Sequence, residues 1–190
     1  KDFKYQYANV TAAGSWRTGN SMNTARNSMG ASGNASGALG FGGKLPANSA
    51  DTELYNGVSW TEVNNMNTAR GNLAGAGSTN TAALGFGGRQ PSPVNAETES
   101  WNGTNWTEVN DLNTSRFGVG GAGTTTAGLA YMGSPGSPAG TAVESWNGSS
   151  WTETTENNTS RGYVASAGTQ TAALAAGGDA PPAVANTEIW

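Results

Sequence analysis

Apolar residues along this chain come in short runs such as "TAALGFGG", "TELYNG" and "SWTEV". Each run has strand length and is closed off by Gly, Asn or Pro. None repeats its apolar residues at helical spacing, so the pattern predicts an all-β chain. Asn-Gly pairs at 56–57, 102–103 and 147–148 are hairpin signals between two of the runs. In the clearest case Trp101 and Trp106 flank a four-residue connection, Asn102 to Asn105. A regular hairpin there pairs the two indoles across strands, with Glu99 and Glu108 on the same face.

The runs recur. The second Trp of the hairpin stands at Trp16, Trp60, Trp106 and Trp151, and an Arg follows at Arg26, Arg70, Arg116 and Arg161. The first aromatic gives Tyr55, Trp101, Trp146 and Trp190. One unit of about 45 residues thus occurs four times, each with four strand-like pieces, a to d. Four-stranded units at this period predict a β-propeller. Piece d follows c only at Trp60, Trp106 and Trp151, and the chain stops at Trp190. The missing d is "GSWRT", Gly14 to Thr18, so the N-terminal strand is expected to complete the last blade and close a four-bladed ring. Residues 1–13 fit no blade and read as a lead-in. The expected division is a single propeller domain at 14–190, with repeats at about 16–59, 60–105, 106–150 and 151–190.

The double Gly after piece b (Gly42-Gly43, Gly87-Gly88, Gly177-Gly178) precedes an aromatic about a dozen residues on, with a Trp five beyond that. In these features residues 14–190 resemble the kelch-repeat family of β-propellers. The third copy departs with Met132-Gly133, and the first hairpin aromatic is usually Trp. The Asn-Gly, Thr and Ala flavour is similar to kelch-like proteins of bacteriophage or marine bacterial origin. The resemblance implies a ring of more than four blades. The small inner residues of piece a (Gly75, Ala76, Gly77; Gly121, Ala122, Gly123) favour the small ring. An arc of a larger ring is the other reading, and a start at Lys1 with no Met reads as a processed product or a piece of something longer.

Composition narrows the chemistry. Nine Lys and Arg against thirteen Asp and Glu give a net charge of −4, with no basic run, so no nucleic-acid partner is expected. No apolar stretch is long enough to suggest membrane insertion. Cys and His are both absent, which removes thiolate chemistry, the commonest general base and the commonest transition-metal ligand. No Asp-x-Asp metal pattern or phosphate loop occurs, so neither a cofactor nor a metal is expected. The kelch-like copper oxidases rely on Cys and His that this chain lacks, and the Asp-box of sialidase propellers is missing too. A carboxylate-dependent glycosidase is a minor alternative. Asn-x-Ser/Thr sequons, among them Asn9, Asn34, Asn102, Asn105, Asn147 and Asn157, are what this composition yields by chance.

The Asn-Thr-(Ala/Ser)-Arg box recurs in every unit. Its repetition favours structure: Asn and Thr capping the d–a turn, and each Arg pairing with a Glu such as Glu53, Glu99, Glu144 or Glu188. The Trp set (Trp60, Trp101, Trp106, Trp146, Trp151, Trp190) is expected to pack between blades. The b–c connections hold all seven Pro and are the longest and least alike parts of the repeat. A rigid scaffold with divergent loops on one face is the layout of a binding surface. Lys44, Arg89, Gln90 and Asp179 are its candidate ligand contacts. The expected function is a non-catalytic binding or adhesion module, extracellular or on a virion surface, presenting these loops to a protein or glycan receptor. The alternative is a structural virion component contacting neighbouring subunits and no free ligand.

Overall fold

The computed structural model describes residues 18–90, 93–136, 140–180 and 183–190. It is all-β. Blade 1 holds β1 (Gly30–Asn34), β2 (Gly37–Phe41), β3 (Thr52–Tyr55) and β4 (Trp60–Val63). Blade 2 holds β5 (Ala74–Thr79), β6 (Ala82–Phe86), β7 (Thr98–Trp101) and β8 (Trp106–Val109). Blade 3 holds β9 (Gly120–Gly123), β10 (Gly128–Tyr131), β11 (Val143–Trp146) and β12 (Trp151–Glu153). Blade 4 holds β13 (Ala165–Thr169), β14 (Ala172–Ala176) and β15 (Thr187–Ile189). Each blade is an antiparallel meander in sequence order, and together they form a four-bladed β-propeller. The expected closing strand, Gly14 to Thr18, lies outside the described residues except for its last position.

The hairpin signals translate directly. Trp101 pairs with Trp106, and Glu99 with Glu108. Asn102 Oδ1 accepts from the Thr104 and Asn105 amides at 3.0 and 2.9 Å, and Gly103 takes φ +93°. The short Asn side chain closes the turn on itself, and the next residue must be left-handed, which Gly supplies.

The inner strands β1, β5, β9 and β13 line an open channel of about 830 Å³. Small residues allow this crowding: a Cβ on Gly75 would stand 2.6 Å from the Ala31 carbonyl oxygen, and one on Gly121 would stand 2.6 Å from that of Gly75. Gly121→Ala is therefore expected to destabilise by about 1–3 kcal/mol, read as a lowered urea midpoint. An unchanged midpoint would mean that the inner strands are not crowded.

Aromatic residues fill the blade junctions. Trp106 meets Phe41 of the preceding blade edge-on at 4.8 Å and donates its indole N–H to Thr52 Oγ1 at 2.9 Å. Trp151 repeats this on Phe86 at 5.0 Å and Thr98 at 3.0 Å. Trp101 and Trp146 are buried beside them. The other two described tryptophans depart from the expected packing. Trp60 is only partly buried, and its ring neighbour is Tyr55 of its own hairpin, at 5.1 Å, with no aromatic ring of a preceding blade against it among the described residues. Trp190 is 41% exposed.

Candidate functional site

The b–c and d–a connections meet on one face. Four isolated bridges join them, Asn27 to Lys44, Gly71 to Arg89, Phe117 to Ser134 and Gly162 to Asp179. Three of the four residues singled out as ligand contacts, Lys44, Arg89 and Asp179, are thus one register position repeated around the axis, with Ser134 in the third blade. All three are exposed. Gln90 stands aside from them, over a shallow depression with Asn48 and Asn67.

A second ring lies just inside. Ser28, Asn72, Gly118 and Tyr163 occupy the next equivalent position, with φ of 56°, 56°, 63° and 54°. Their backbones link blade to blade: the Asn72 amide donates to Ser28 O, Gly118 to Asn72 O and Tyr163 to Gly118 O, each at 2.8 Å. The left-handed conformation is what lets each amide reach its neighbour. Gly and Asn bear it cheaply, and a bulky residue does not. Tyr163 is therefore strained there, and 52% of it is exposed, so core packing does not account for it.

Tyr163 has company. Its ring lies over Gly118, where a Cβ would meet it at 3.2 Å. It meets the buried Phe117 edge-on at 6.0 Å. The Arg89 guanidinium sits over the Phe117 ring, at 4.9 Å from its centre. The Tyr163 phenol is held above its ordinary pKa, first by partial burial; Arg89 lowers it and Asp179 raises it. Arg89, Phe117, Tyr163 and Asp179 thus form one cluster at the channel mouth, drawn from blades 2, 3 and 4.

Sequence reasoning missed Phe117 and Tyr163. Their signal is a break in the repeat: Phe117 aligns with Asn27, Gly71 and Gly162, and Tyr163 with Ser28, Asn72 and Gly118. Tyr163→Asn, the blade 2 residue, is expected to leave thermal stability unchanged or raise it by up to about 1 kcal/mol. A clear loss in a thermal melt would give Tyr163 a structural role instead.

The repeated box is placed differently. Each Arg lies against a Glu: Arg26–Glu53 at 3.2 Å, Arg70–Glu99 at 3.2 Å, Arg116–Glu144 at 2.9 Å and Arg161–Glu188 at 3.0 Å. None of the four guanidinium groups faces the channel mouth as a free cation. The turn is capped in the opposite sense to the one expected. The Asn backbone amide donates to the Glu carboxylate at 2.7–2.8 Å in all four copies, and the Asn side chain donates to it in three. A buried carboxylate offers more acceptor capacity than an Asn oxygen, and it also meets the Arg charge. Burial lowers the pKa of Arg70 and Arg116, and the adjacent carboxylates, Glu99 and Glu144, oppose that shift.

No protein-family model and no curated protein matches this chain. The class is defined by the fold: the chain is a four-bladed β-propeller whose loop face carries an asymmetric aromatic and charged cluster.

Proposed function

We propose that this β-propeller, of kelch type, is a non-catalytic binding module that presents its loop face to a receptor from an extracellular or virion surface. One observation carries the reading. Residues that break the fourfold repeat converge on a single exposed mouth, with Tyr163 held there in a conformation that costs stability. Structural residues in this chain repeat; these four do not. Strain of that kind persists where function selects it. The non-catalytic part rests on the chain's lack of His and Cys and on the engagement of Glu53, Glu99, Glu144 and Glu188 with Arg and Asn.

The test is binding of the labelled chain to arrayed glycans and surface proteins, with single Ala substitutions at Lys44, Arg89, Tyr163 and Asp179. Glu62 and Glu108, exposed on the outer strands, serve as controls. Loss at the mouth and none at the controls is the expected result. Equal binding by all variants would sink the reading.

A second reading, a structural virion component, has its own support. Ile189 on β15 is 82% exposed, beside the exposed Trp190 and a pocket of about 60 Å³ lined by Tyr131, Ala173 and Ala175. Under that reading contacts lie at this end of the chain, and the arrays stay blank.

A further inference from the structure

The chemistry of the mouth narrows the ligand beyond "receptor". We propose that it holds a neutral pyranose, with one sugar face stacked on Tyr163, Asp179 accepting from adjacent hydroxyls, and Arg89 donating to a hydroxyl or ring oxygen; the proposal rests on the binding reading above.

Three features support a sugar over other ligands. The first is charge. Arg89 and Asp179 stand at equivalent positions of the loop face with opposite charges, and both are exposed. A carboxylate sugar or phosphate would gain from Arg89 and lose to Asp179, in a chain of net charge −4. A neutral polyol uses both groups, since a carboxylate accepts through two oxygens and a guanidinium donates through a planar fork.

The second is shape. Tyr163 is an exposed aromatic ring already supported from below, by Gly118 and edge-on by Phe117. A supported ring loses little rotamer freedom when a ligand stacks on it. Blades 1 and 2 put Ser28 and Asn72 at this position, so the aromatic surface exists in one blade only. It defines one stacking position, which suits one sugar ring.

The third is what the mouth lacks for a peptide. Strand addition needs a free backbone edge. Here the backbones are already paired, by the Gly71–Arg89, Phe117–Ser134 and Gly162–Asp179 bridges and by the amide chain from Ser28 to Tyr163. A side-chain anchor needs an apolar slot. The one buried aromatic here, Phe117, is covered by Arg89 and Tyr163.

The experiment is saturation-transfer NMR on the full chain, with methyl glycosides of neutral hexoses and N-acetylhexosamines as probes and a random peptide library as the competing class. Tyr163→Asn and Asp179→Asn are each expected to weaken the best glycoside about tenfold or more, the effect of one lost charge-assisted bond or stacking surface. Thermal melts of the variants keep the test interpretable, because neither residue is in the core. Glycoside transfer that survives both variants would overturn the assignment to this mouth. Peptides bound in a Tyr163-dependent way, with no glycoside signal, would overturn the sugar but keep the binding module. Silence from both classes would overturn both.

Discussion

Glu144→Ala is expected to lower stability by about 3–5 kcal/mol, the cost of leaving a buried charge without its partner. For a chain of this size that corresponds to roughly 10 °C in Tm. The Glu144 carboxylate is fully buried. It accepts from the Asn113 amide at 2.7 Å, the Asn113 side chain at 2.9 Å, the Thr114 amide at 3.3 Å and Arg116 Nη2 at 2.9 Å. Arg116 also donates to the Ala130, Met132 and Ala142 carbonyls, so it cannot swing out to solvent without breaking those bonds. Removing the carboxylate strands a buried guanidinium and two backbone amides together. Glu144→Gln keeps an acceptor and loses the charge, so it should fall between. Glu188→Ala makes the same deletion in blade 4, where the carboxylate is 14% exposed and Asn158 is exposed, and it should cost clearly less. Urea denaturation of the three variants decides the matter, and equal midpoints for Glu144→Ala and the parent would contradict this account of the box.

Trp151→Ala is the second large effect, at about 3–5 kcal/mol. The side chain is buried between blades 2 and 3, edge-on to Phe86, tilted against Trp146 at 5.2 Å, and bonded to Thr98. Truncation opens a cavity in a junction that cannot collapse, because both blades are held by their own ladders and by the inner strands. It also leaves the Thr98 hydroxyl unmatched. Trp60→Ala makes the same change in blade 1, where the indole is partly exposed and meets Tyr55 at 5.1 Å, and should cost less than half as much. A differential scanning calorimetry series would read the contrast, and equal losses at 60 and 151 would show that blade position does not matter.

The two predictions also separate what could be seen in the sequence from what could not. The hairpin from Trp101 to Trp106 was legible residue by residue, because an Asn-Gly turn fixes register locally and register fixes which side chains share a face. The pairing of Arg116 with Glu144 was legible because both recur at one period. The capping direction was not, because choosing between an Asn oxygen and a Glu carboxylate depends on a residue some thirty positions away in the chain. At the loop face Lys44, Arg89 and Asp179 stood out as charges in divergent loops. Tyr163 and Phe117 did not, because an aromatic in this sequence first suggests core, and exposure is a property of the assembled ring.

The sequence alone determined the period, the strand order within a unit and the turn chemistry, and it favoured four blades, since these rest on local spacing and on repetition. Only the tertiary structure decided which copies of a repeated residue are covered. Trp106 and Trp151 are buried against Phe41 and Phe86 one blade back, while Trp60 rests on Tyr55 of its own hairpin. It alone also gathered Arg89, Phe117, Tyr163 and Asp179 at one mouth. The physical reason is that a repeat writes the same local structure four times, whereas burial, strain and proximity depend on which neighbour each copy meets around the axis.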